Sequence, residues 1–272
     1  MRDVCLETSV NMAFSGGAAV WCFDLELWGV CTQGPEVGSA IAAWREAHGE
    51  AEIVERIDGD ERAFAREHRP ATDDELAVTL EILAEQRERA RRLRSLPHAV
   101  LTRDDLSRTM PTWARWRSIE ATLWHICDTE SRYYLPQCGQ PARPRAATLE
   151  AELDASEVHV REQLTTMHRD AIVIGVEEWT ATKLLRRLAW HERGELDAVD
   201  LLLRGTGQSR PDDGRSAPGC RGGCAEASTE PSGVGGYPLR VGLGDPLPRY
   251  LRFSFGQSPA LQPVALMKPR SL

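Results

Sequence analysis

Between Trp179 and Arg204 the chain reads WTATKLLRRLAWHERGELDAVDLLLR, with apolar residues returning every three or four positions. Leu184, Leu188, His191, Glu195, Val199 and Leu202 thus share one face of a predicted helix capped at Thr180. Two of the six are a histidine and a carboxylate one turn apart, where a core-facing stripe wants leucine. An isolated buried charge is expensive, so the pair implies a partner: a metal ion, a proton or an opposite charge.

The helical period recurs three times upstream. Thr72-Asp-Asp-Glu75 is a capping box that opens a helix from Asp73 to about Leu96, with Leu76, Leu80 and Leu83 inward. Its basic end, RERARRLR, reads as a solvated helix terminus that suits the helix dipole. Ser118 caps a second helix to Leu135, with Ile119, Leu123 and Ile126 on its apolar face and His125 beside them. Thr148 starts a third, to about His168, carrying Leu149, Leu153, Val160 and Leu164. A short apolar stretch, Ala171 to Val176, precedes the fourth. Four helices with loops of this length predict an antiparallel bundle or a close relative over residues 72–204.

Ahead of the bundle the pattern changes. Val4 to Glu7 and Ala19 to Leu27 have strand composition, with Gly16-Gly17 as the turn between them. Gly29 to Gly34 reads as a short strand and turn, Glu36 to His48 as a helix, and Ala51 to Ile57 as a returning strand. Residues 1–58 therefore form a small α/β unit with a modest core that must lean on its neighbour. Residues 59–71 read as a polar linker. The expected fold class is α+β: this unit, then a four-helix bundle, then an irregular tail. Residues 205–272 hold 12 of the 22 glycines and 9 of the 16 prolines. Without a sustained period, they read as disordered or irregular, either a native extension or the product of a frame change after Arg204.

Charge narrows the function classes. The net charge of −8 argues against a general nucleic-acid binder, whose footprint is basic. No apolar run approaches the ~20 residues of a membrane span, and MRDVCLETSV lacks the regions of a signal peptide. Seven cysteines without regular spacing do not form a disulfide framework, so a reducing cytoplasm is the expected setting.

LWHICDTESRYY in the second helix, taken with RRLAWHERGELDAVDLLL in the fourth, resembles the DinB-like (YfiT-like) metal-binding four-helix bundles over residues 72–204. That family carries one histidine in its second helix and a His-x-x-x-His pair in its last. The resemblance implies His125 and His191 as metal ligands, with Glu195 standing where the family has its second paired histidine. Members include transferases that use the low-molecular-weight thiol mycothiol. The implied function is thus a metal-dependent thiol S-transferase or hydrolase, with a small-molecule substrate and such a thiol as partners. A second copy of the chain is a further candidate partner, while nucleic acid and membrane are not expected. Residues 18–48, WCFDLELWGVCTQGPEVGSAIAAWREA among them, are similar to HicB-like antitoxin folds. That similarity implies the alternative, a non-catalytic binding or scaffold protein.

Residues four apart on a helix lie roughly 5–6 Å apart at Cβ, close enough to chelate one ion. Two nitrogens and a carboxylate leave a fourth position open, as in catalytic zinc sites, and also suit nickel or iron. The competing reading satisfies both histidines within the bundle and pairs Glu195 with Arg187 or Lys183. His191-Glu192-x-x-Glu195 is one histidine short of the zinc-peptidase HExxH, and Glu192 points ~100° off the ligand face. None of the seven histidines has a glutamate three residues before it, which sets a di-iron bundle aside. Cys127, Trp124 and Trp190 read as core or wall residues, His159 and His168 as surface, and Cys220 and Cys224 as a chance pair.

Overall fold

A computed structural model of the chain describes residues 1–105, 110 and 114–205; the expected tail beyond Gly205, with Cys220 and Cys224, lies outside them. The fold is α+β. At the N-terminus, β1 (Arg2–Val10), β2 (Gly17–Trp21), β3 (Cys31–Gly34) and β4 (Ala51–Asp58) form one mixed sheet in the order β3-β2-β1-β4. Neighbours are antiparallel except β1 and β4, which run parallel because helix α1 (Val37–His48) carries the chain back across the sheet. Alternation divides β1 between two cores. Val4 and Leu6 pack with Ala40 and Trp44 of α1, while Cys5 faces the other way with Ala19, Trp21 and Phe64.

Four long helical segments follow. Helix α2 (Asp73–Arg94) starts at the expected capping box, where Thr72 and Glu75 exchange side-chain and backbone bonds. After the single-turn α3 (His98–Leu101) comes α4 (Ile119–Asp128), capped by Ser118. It passes without a break into a π-helical segment, Thr129–Tyr134, and ends as α5 (Leu135–Gln137). Helix α6 (Leu149–Thr166) is capped by Thr148. The apolar stretch after it becomes a hairpin of β5 (Ile172–Ile174) and β6 (Glu178–Thr180), leading into α7 (Ala181–Gly205), whose first turn Thr180 caps. Among the described residues no helix is long and apolar enough to cross a membrane.

Helix α2 packs on α6 and α7, and α4 packs on the same two. The helices build two hydrophobic layers. One holds Leu76, Leu83, Tyr134, Leu135, Val160, Leu164, Leu184 and Leu188; the other holds Ala90, Leu93, Ile119, Leu123, Leu153, Leu196 and Val199. Chain order through the layers gives the directions: α2 and α7 run from the first layer to the second, α4 and α6 the opposite way. The bundle is therefore not a simple up-and-down succession, because the segment between α5 and α6 returns along its length.

The N-terminal unit is held to α7 by charge as well as by apolar contact. Residues 181–189 are buried all round, not on one stripe. The Lys183 ammonium donates to the carbonyls of Asp60, Arg62 and Glu178 at 2.8, 2.5 and 2.9 Å. Arg186 pairs with Glu67 at 2.5 Å and lies 3.9 Å over the Trp21 ring. Arg187 pairs with Glu7 at 2.7 Å. Segment 59–71 supplies acceptors to Lys183 and Arg186, and Phe64 and Glu67 within it are fully buried. Gly29, at φ +71°, lets its turn lie directly on α7, where an added Cβ would sit 2.7 Å from that of Ala189.

Candidate metal centre

Between the two apolar layers every helix contributes polar side chains. Helix α2 supplies Gln86 and Arg87, α4 supplies His125, the π-helical segment Thr129, Glu130 and Ser131, α6 Ser156, and α7 His191, Glu192 and Glu195. These fall into two neighbouring groups.

The first group is the triad expected from the sequence. His125, His191 and Glu195 each offer a ligand atom, all within 4.8 Å of one another. The two imidazole Nε2 atoms are 3.1 Å apart. Donors ~2.0–2.1 Å from a tetrahedral ion stand about 3.3–3.4 Å from each other, so the imidazoles are already at chelating separation and the carboxylate needs only a small swing. His191 is buried, while His125 and Glu195 are half-buried, so the site reaches solvent on one side. Two nitrogens and one oxygen suit a divalent ion of the zinc, nickel or iron kind.

Other side chains set the orientation of these three. Thr129 Oγ1, one turn beyond His125, lies 3.3 Å from its Nδ1. Trp116 donates its indole N–H to Glu195 Oε2 at 3.1 Å. Its ring lies flat on His125, with centroids 3.3 Å and planes 10° apart. Tyr134 and Trp190 stand edge-on to His191. The pairing of Glu195 with Arg187 or Lys183 is not what the structure places here, since those cations engage Glu7 and the carbonyls around Asp60.

The second group is fully buried. Arg87 donates to Glu130 at 2.6 Å, lies 3.5 Å from Glu192 and reaches Cys127 Sγ at 3.2 Å. Glu130 also accepts from Ser156 at 3.2 Å. Burial first, against the pull of Arg87, pushes the Glu192 carboxyl well above the carboxylate range, and the neighbouring Glu130 adds to it. The basic end of α2 is solvated only in part: Arg92 and Arg94 are exposed, as expected, while the arginines before them engage the bundle. Arg87 is 2% exposed, Arg89 pairs with Asp197 and Asp200 of α7, and Arg91 pairs with Asp154 and Glu157 of α6. The run looked solvated because periodicity ranks arginine as an outside residue, whereas here facing carboxylates draw it inward.

Cys127 is the small core side chain expected, and burial pushes its thiol up to about 12. Cys138 and Cys5 are raised to about 12 for the same reason. His159 Nε2 donates to the Pro141 carbonyl at 3.0 Å, and His168 is exposed. Trp116 was not legible in the sequence, because it lies in an irregular segment where no period relates it to either helix. Arg87 and Glu130 carried one signal: charged residues in register with apolar ones on predicted core faces.

No family model, no curated protein and no solved structure matches the chain.

Proposed function

We propose that the chain is a DinB-like metal-binding protein in which His125, His191 and Glu195 hold one divalent ion, zinc, nickel or iron. Its proposed activity is group transfer from a small-molecule substrate to a low-molecular-weight thiol such as mycothiol. The observation that carries the reading is the convergence of three donors from two helices within 4.8 Å, with two nitrogens at chelating distance. When bound, the ion supplies Lewis acidity that lowers the pKa of a water or thiol at its open position. Glu195 offsets part of the ion's charge, and Tyr134 and Trp190 wall the site beside His191. Burial raises the thiols of all five cysteines among the described residues, which favours a diffusible molecule as the source of a nucleophilic thiolate in this reading.

A second reading has one observation of its own. At 3.1 Å the two imidazoles are within hydrogen-bond range of each other, as in a satisfied polar pair of a non-catalytic bundle whose HicB-like part binds a protein partner. One experiment separates the two. Elemental analysis of chain purified without chelators or metal-affinity resin is expected to find about one ion per molecule, lost on His191→Ala. Metal-free protein whose thermal midpoint ignores added Zn²⁺, Ni²⁺ and Fe²⁺ would reject the metal reading in favour of the second.

A further inference from the structure

Trp116 comes from the irregular segment ahead of α4, yet it touches two of the three candidate ligands at once. Its N–H meets Glu195 Oε2 at 3.1 Å, and its ring face covers the His125 imidazole. His125 belongs to α4 and Glu195 to α7, so one indole ties a ligand of each helix to the other across their interface. Glutamate is among the side chains with most rotamer freedom to lose, and holding it before an ion arrives removes that cost from binding.

We propose that Trp116 is a positioning residue for the divalent-ion site. Its N–H holds Glu195 by one carboxylate oxygen. Its ring face fixes the plane of His125 so that Nε2 points at His191. The electron-rich indole face also favours an imidazole made more positive by a bound cation. The inference rests on the metal reading above. A packing role alone would leave Glu195 and Trp116 independent in their effects on binding; positioning couples them.

The test titrates the full chain with Co²⁺, whose visible spectrum reports ligand number and geometry, and places Zn²⁺ affinity by competition. Trp116→Phe keeps a flat ring over His125 and lacks the N–H. It is expected to keep one ion per chain while weakening binding 10–100-fold, the usual effect of losing an outer-shell partner. Its Co²⁺ spectrum is expected to shift toward that of Glu195→Ala. In the Glu195→Ala background the same substitution is expected to add nothing further. Wild-type affinity in Trp116→Phe, or full additivity with Glu195→Ala, overturns the positioning role and leaves the metal reading standing. Wild-type chain that takes up no Co²⁺ rejects both. Trp116→Tyr, which retains a flat ring bearing a hydrogen-bond donor, asks the same question should phenylalanine unfold the segment. Affinity within about tenfold of wild type supports the role, and a loss equal to that of Glu195→Ala overturns it.

Discussion

Glu192 and Glu195 lie one turn apart on α7 and belong to different chemistry. Glu195 is half-buried, beside the histidines and the Trp116 indole. Glu192 is fully buried and faces Arg87 and Glu130, and burial pushes its carboxyl well above the carboxylate range. A protonated carboxyl is close in shape and hydrogen-bonding capacity to an amide, so Glu192→Gln is expected to change stability by less than ~1 kcal/mol. Arg87→Met removes the only guanidinium that contacts both glutamates among the described residues and is expected to cost ~3–5 kcal/mol. Urea denaturation of both variants checks the pair, and equal losses would contradict the upward shift at Glu192. The sequence showed the different directions of residues 192 and 195 through the 100° helical step. It could not show what residue 192 faced, because Arg87 and Glu130 are distant in the chain.

Helix limits were legible because caps are local. Thr72, Ser118, Thr148 and Thr180 each accept from a backbone N–H at a helix start, and local chemistry of that kind is visible in a single sequence. The π-helical segment was not, since its residues continue an ordinary helical pattern. It matters to the site: five positions separate His125 from Glu130, which a straight α-helix would turn ~140° apart. The wider π turn brings both inward. The basic edge of α7 also escaped the periodic reading, because its partners, the Glu178 carbonyl apart, lie more than 100 residues upstream. Lys183 shows the physical cost of that edge. Burial, and then the adjacent Arg187, lower its pKa to about 8 from an ordinary value of 10.5. Between those two values the folded chain binds fewer protons at this site than the unfolded chain does, so stability rises with pH. Relative to Lys183→Met, the wild type is expected to gain about 3 kcal/mol between pH 8 and 10.5, with no change in the difference below pH 8. Urea melts of both chains across that range measure it, and a flat difference would contradict the lowered value.

At the scale of the molecule, the two regions and the need of the small unit to lean on its neighbour were legible, but the dependence of the bundle on that unit was not. All described residues fall in one unit, and the sheet supplies Glu7 to Arg187 while segment 59–71 supplies Glu67 to Arg186 and two carbonyls to Lys183. Removing residues 1–71 strands three cations on an apolar helix. At ~3–5 kcal/mol for each broken buried pair, the loss is comparable to the whole 5–15 kcal/mol stability of an ordinary domain. Residues 72–205 alone are therefore expected to show no cooperative thermal transition by circular dichroism, whereas residues 1–205 melt cooperatively. A cooperative melt of the shorter piece at the same temperature would show the bundle to be autonomous.

The buried cysteines have a practical consequence. Cys5, Cys127 and Cys138 report from the sheet, the polar layer of the bundle and the start of the crossover to α6, and an alkylating reagent meets each only when its surroundings part. Which of the three is tagged first, read by mass spectrometry, gives the order in which the molecule comes open.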